Sequence, residues 1–148
     1  MKRTNFITKD NVVEQLMTDD LIVQAYIYSD KSQRYWKIME PICVTLSTGR
    51  RITIPRGYAY DMISVPKWAW SVASPFNDGL FGYLVHDRLY VIRDHNMTRK
   101  QVDDEMLFWT NITNSNKFGN YLNYFFVRMF GWWVWYKVTE KIAKFFRL

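Results

Sequence analysis

His86, Asp87 and Tyr90 fall within one five-residue stretch, His86-Asp87-Arg88-Leu89-Tyr90, preceded by the apolar Tyr83-Leu84-Val85. On a helix His86 and Tyr90 are four apart and share a face, while Asp87 points about 100° away toward a different partner. Asp103 follows in Val102-Asp103-Asp104-Glu105. If the two stretches form an antiparallel helix pair, Asp103 reaches the imidazole of His86, fixes its tautomer and raises its basicity, as a general base requires. A second reading uses the same residues differently: His86, Asp87 and Asp103 make a buried polar network that joins two helices to the loop around Asp61. Both readings gather these side chains near Asp61.

Other chemistries have less to work with. Ser64, before Val65-Pro66, lacks the Gly-x-Ser-x-Gly elbow of a nucleophile and reads as a loop hydrogen bonder. Two histidines and one cysteine do not supply a closed structural zinc site. His95, in the polar turn Arg93-Asp94-His95-Asn96, reads as solvated, and no Walker or Rossmann glycine pattern is present.

The elements that must position these groups follow from local pattern. Residues 21–28 are β-branched and aromatic and end at Ser29-Asp30, a strand followed by a turn. Residues 35–46 read as one or two strands broken near Pro41, and Ser47-Thr48-Gly49 turns the chain into the alternating Arg51-Ile52-Thr53-Ile54. After Pro55 and Gly57 the texture changes to a loop at Asp61–Pro66 and a short helix at 67–72, with Trp68 and Trp70 packed on the sheet. Gly79 to about Arg93 reads as a helix. A second starts at Thr98, where Gln101 completes a capping box, and runs to about Thr113. From Phe118 to Phe146 one long helix is expected, with Gly131 as the place for a kink.

The chain has 148 residues, enough for one domain: 1–56 mainly β, 57–116 carrying the motifs, and 117–148 a basic aromatic helix. The fold class is α+β, a small N-terminal antiparallel sheet followed by a helical half. Apolar residues at 49% and charged residues at 23% exclude a disordered chain. The single cysteine, Cys43, cannot form an internal disulfide and reads as a packed core thiol, and no signal peptide is read at the N-terminus. The net charge of +6 is concentrated at the C-terminal end, where Lys117, Arg128, Lys137, Lys141, Lys144 and Arg147 face only Glu140.

That end also holds Trp132, Trp133 and Trp135. Its most apolar stretch, Tyr121 to Tyr136, contains Asn123 and Arg128 and is about 24 Å long as a helix, short of the roughly 30 Å hydrocarbon thickness. Two placements remain open. The helix covers the sheet with its rings in the core, or it meets an anionic membrane or another protein through Trp132, Trp133, Trp135, Lys137, Lys141 and Lys144. The rings are too consecutive to be stacking platforms for nucleic acid.

Two resemblances bear on these residues. Four segments in order, Gly57 to Pro66, Leu84 to Tyr90, Thr98 to Asp103 and Val127 to Gly131, resemble a phage-associated family of unknown function numbered 1353, with Tyr60, Ile63 and Val102 in place of smaller residues. That resemblance implies a virus or prophage origin and by itself gives no activity; the expected location is the virion or the host cytoplasm, with a peripheral place at the host inner membrane as an option. The His-Asp-x-x-Tyr helix followed by an Asp on the next helix is also similar to the phospholipases A2. This similarity implies His86 as the base that activates water, Asp87 as a ligand to Ca²⁺, and Tyr90 and Asp103 as orienting groups. The flanking cysteines and the Gly-rich calcium loop of those enzymes are absent. Gly57, or Asn77-Asp78-Gly79 through Gly82, stands in for the loop, and Asp61 offers a carboxylate to the metal.

Two functions are therefore expected as alternatives. One is a phage-encoded, membrane-directed, Ca²⁺-using phospholipase-like hydrolase acting in entry or lysis. The other is a non-catalytic virion or assembly protein, in which the His-Asp cluster holds helices together and the C-terminal helix docks to another subunit.

Overall fold

The computed structural model describes residues 5–18, 22–27, 34–38, 40–61, 79–92 and 96–146, with the backbone alone at 5, 16–18, 22–27, 34–37, 59–61 and 137–146. The short helix expected at 67–72, with Trp68 and Trp70, lies outside the described residues, as do Ser64 and His95. The chain divides into two compact units, Met1–Met62 and Ile63–Leu148. The architecture is α+β.

The first unit contains β1 (Asn5–Ile7), α1 (Val12–Thr18), β2 (Ile22–Ile27), β3 (Arg34–Ile38), β4 (Ile42–Thr45), β5 (Arg51–Ile54) and β6 (Ala59–Asp61). Its strands form two three-stranded sheets, ordered β1-β4-β5 and β2-β3-β6. Three of the pairings are antiparallel, while β1 runs parallel to β4, with Phe6 opposite Cys43. Alternation decides the core face: Ile42 and Val44 of β4 and Ile52 and Ile54 of β5 are buried with Ile7. Cys43, one residue out of phase, therefore lies on the other face and is only half-buried, where a core thiol was expected.

Helix α1 falls in a region expected to be sheet. Its Val12-Val13 start carries a strand signal, but Asn11 organises the turn before it. The Thr8 amide donates to Asn11 Oδ1 at 2.7 Å, and the Gln15 amide donates to the Asn11 carbonyl at 2.9 Å. Once that first turn is fixed, Glu14, Gln15, Leu16 and Met17, all good helix formers, carry it on.

The second unit contains α2 (Leu80–Val91), α3 (Arg99–Thr113) and α4 (Lys117–Phe146). The capping box at the start of α3 forms as its spacing requires: the Thr98 hydroxyl accepts from the Gln101 amide, and the Gln101 side chain accepts from the Thr98 amide. Rising positions in α2 meet falling positions in α3, Gly82 against Thr110 and His86 against Asp103, so the two helices run antiparallel. The same reasoning makes α4 antiparallel to α3, with Asn120 on Thr110 and Arg128 on Asp103. Between α2 and α3 the core is Phe81, Leu84, Val85, Leu89, Val102, Met106 and Trp109, with the Phe81 and Trp109 rings edge to face at 5.2 Å. Trp109 is fully buried, and its indole donates to Glu105 Oε1 at 3.0 Å.

Gly82 sets how closely α2 and α3 approach. A Cβ there would lie 2.6 Å from the Thr110 methyl and 2.9 Å from the Thr110 backbone nitrogen. Helix α4 runs unbroken for 30 residues, and among the described residues no helix is long and apolar enough to cross a membrane. Two substitutions test this packing by urea denaturation. Thr98→Ala removes one cap and should cost about 1 kcal/mol. Gly82→Val must push two helices apart and should cost about 1–3 kcal/mol. A neutral Gly82→Val would show that the helices do not meet there.

Candidate functional site

The second unit closes on one carboxylate. Asp103, in the second turn of α3, has no solvent exposure and is met from three helices. From α2 come His86, whose Nε2 lies 2.7 Å from Asp103 Oδ1, and Tyr90, whose hydroxyl donates to the same oxygen at 2.6 Å. From α4 comes Arg128, whose Nη1 donates to Oδ2 at 2.7 Å. Arg99, one helical turn before Asp103, adds its Nη1 at 3.4 Å from Oδ2 and uses Nη2 to reach the Arg128 carbonyl at 3.1 Å. Helical spacing explains the α2 pair: His86 and Tyr90 share a face, and their rings lie 4.2 Å apart, tilted by 40°.

An ionised carboxylate only accepts hydrogen bonds, so the contact at Oδ1 places the imidazole proton on Nε2. Among the described residues this is the one hydrogen bond of the His86 side chain, and Nδ1 is left as its basic nitrogen. Burial alone would raise the Asp103 carboxyl, but the bonds from His86, Tyr90 and Arg128 outweigh it and hold the group below the usual carboxylate range. Burial and the Asp103 charge push the Tyr90 phenol well above its ordinary value, so it remains a donor. Burial works against the Arg128 charge, yet its bond to Asp103 raises it further.

Gly131 of α4 lies close to two of these side chains. A Cβ there would lie 3.0 Å from the Tyr90 hydroxyl and 3.4 Å from Arg99 Nη1. The glycine was expected to mark a kink. In the structure it lies within the unbroken α4 and against two side chains that bind Asp103. One turn further on, Trp135 packs edge to face on Tyr90 at 5.0 Å. Trp135 thus belongs with the buried cluster, whereas Trp132 and Trp133, expected beside it in a contact surface, are exposed.

Of the residues singled out in the sequence, His86, Tyr90 and Asp103 come together. Asp87 is half-buried on α2. Asp61 ends β6 in the first unit, and its side chain is outside the described residues, as are those of Lys137, Lys141 and Lys144. Arg99, Arg128 and Gly131 were not anticipated as members of the site. Arg99 had a local signal, its i,i+4 spacing to Asp103. Arg128 had no local signal, since 25 residues separate it from its partner, although it and Gly131 lie in the motif segment Val127 to Gly131. Among the described residues no three His, Cys, Asp or Glu side chains lie together as a metal site requires.

Because the Asp103 carboxyl is lowered on folding, its contribution to stability is present above the unfolded carboxylate value of about 3.9 and is lost as pH falls through the folded value. Asp103→Ala leaves two guanidinium groups without their shared acceptor and should cost about 3–5 kcal/mol near neutrality. The stability gap between parent and variant should shrink as pH falls below about 4. A gap independent of pH down to acid unfolding would refute the arrangement.

Residues 36–127 match the pattern of a family described as protein of unknown function (DUF1353). No curated protein and no solved structure matches the chain. The matched span covers more than half of the sequence and includes His86, Tyr90, Arg99 and Asp103, so the helix pair that builds the site is a feature of the matched region, and the protein belongs to the DUF1353 family.

Proposed function

We propose that the protein is a phage-encoded, membrane-directed hydrolase of phospholipase type, with His86 as general base and Asp103 as the group that orients it. One observation carries the reading: His86 Nε2 and the Tyr90 hydroxyl converge on the same oxygen of a fully buried aspartate, leaving Nδ1 as the basic nitrogen. In the proposed reaction Nδ1 takes a proton from a water molecule as the water oxygen attacks the ester carbonyl carbon. The tetrahedral intermediate then collapses, the C–O bond to the alcohol breaks, and the alcohol oxygen recovers the proton from His86. Asp103 stabilises the imidazolium formed between these steps, and Tyr90, Arg128 and Arg99 keep its carboxylate from rotating.

The resemblance to phospholipases A2 also implies Ca²⁺. Such a hard cation takes six to eight oxygen ligands. Both oxygens of Asp103 are already taken, and Asp87 is the neighbouring carboxylate on α2. Among the described residues no third His, Cys, Asp or Glu joins them, and the Asp61 side chain and residues 77–78, expected to add oxygen ligands, lie outside the described residues.

The saturation of Asp103 supports a second reading. A carboxylate held by four side chains from three helices is what a clasp within a virion or assembly protein needs, and in that role His86 is one of its arms.

The two readings differ in what His86→Gln does. Glutamine keeps a donor toward Asp103 but cannot act as a base. Under the hydrolase reading, release of fatty acid from phospholipid falls by about 10²–10⁴-fold while the melting temperature changes little. A parent protein that releases no fatty acid, with or without added Ca²⁺, or a His86→Gln variant as active as the parent, leaves the clasp as the function of the cluster.

A further inference from the structure

Helix α4 is built inside out. The stripe that faces α2 and α3 is Asn120, Asn123, Val127 and Gly131, at spacings of three, four and four, and all four are buried. The opposite stripe is Phe118, Tyr121, Phe125, Met129, Trp132 and Tyr136, at spacings of three, four, four, three and four. Exposure along it runs from 47% at Trp132 to 76% at Phe118. A helix serving only to close a three-helix core would place its aromatics inward and its amides outward. Here the inward amides have partners: Asn120 donates to the Thr110 and Asn114 carbonyls, and Asn123 donates to the Tyr83 hydroxyl. The aromatic stripe is therefore not misplaced core.

We infer that this stripe lies in the surface of an anionic membrane, with α4 parallel to the bilayer plane. Charge selects the occupant. Between Lys117 and Thr139 there is no carboxylate, and Glu140 is the sole acid from there to the C-terminus, against six basic residues. A second copy of the helix, in either direction, would bring cations against cations, whereas lipid phosphates supply the opposite sign. Of the cations, Arg128 is spent on Asp103, while Lys117 precedes the stripe and Lys137, Lys141, Lys144 and Arg147 follow it. The stripe is thus flanked at both ends by basic residues. Tyr, Trp and Phe are the side chains that settle at headgroup depth, and α4 is not apolar enough to cross.

The inference rests on the membrane-directed part of the proposed function and not on the chemistry at His86. Vesicles of ether-linked phospholipid, which carry no ester to cleave, keep the two apart. The full-length protein should cosediment with ether-linked phosphatidylglycerol vesicles at low salt, at least about tenfold more strongly than with phosphatidylcholine, and less so at about 0.5 M salt. The double variant Phe125→Ser, Trp132→Ser should keep its circular dichroism and melting temperature and lose about tenfold or more in binding. Failure to bind phosphatidylglycerol at low salt overturns the inference, as does binding that the double variant leaves intact. A dimer of the parent protein that the double variant abolishes would assign the stripe to a second copy and overturn it as well.

Discussion

A carboxylate buried without any solvent exposure must have all its lone pairs met, and in the second unit Asp103 imposes that condition on three helices at once. Moving such a charge out of water costs several kcal/mol, and only close, well-directed donors offset it. The donors come from α2, from the preceding turn of α3 and from α4, with His86, Tyr90 and Arg128 all within 2.7 Å. Each contact fixes a register. His86 on Asp103 sets how far α2 slides along α3, Arg128 on Asp103 does the same for α4, and Arg99 ties the α4 backbone to the start of α3. Two glycines lie at the contacts: Gly82 lets α3 approach α2, and Gly131 lies against the ends of the Tyr90 and Arg99 side chains.

The requirements of a clasp and of a catalytic dyad coincide here to an unusual degree. Fixing an imidazole for general-base chemistry needs a carboxylate on one nitrogen and something to stop that carboxylate from turning. Holding three helices together needs the same carboxylate to be fully engaged. What separates the two roles is the second ring nitrogen of His86 and whether a water and a substrate can reach it. The arginines occupy the other oxygen, Oδ2, so that the imidazole and the phenol share Oδ1.

Helix α4 has separate tasks on its two faces. Asn120 on the inner face ties down the end of α3: it donates to the Asn114 carbonyl, past the last intrahelical donor, and to the Thr110 carbonyl, which already accepts from the Asn114 amide. Asn114 returns a bond to Asn120 Oδ1 at 2.9 Å, so the turn between α3 and α4 is closed from both sides. With polar bonds, Val127 and Gly131 on the inside, most of the large rings lie toward the outside, while Tyr124 donates to Asp104 of α3 and Trp135 packs on Tyr90.

Elements specified by neighbours in the chain were legible from the sequence. The capping box at Thr98 and Gln101, the alternation of Arg51–Ile54, the extent of α2 and α3 and the facing of His86 and Tyr90 all depend on contacts within four residues or on a period of two. The α+β class followed from where one period gives way to the other. Relations across the chain were not legible. The parallel pairing of β1 with β4, the half-buried face of Cys43 and the arrival of Arg128 at Asp103 join segments whose separation no local period encodes. The sequence of α4 is apolar nearly all round and so does not name its buried face. That choice was made by the tertiary structure, because the polar groups of one face, Asn120, Asn123 and Arg128, find their partners on α2 and α3, and the same face brings Gly131 against Tyr90 and Arg99.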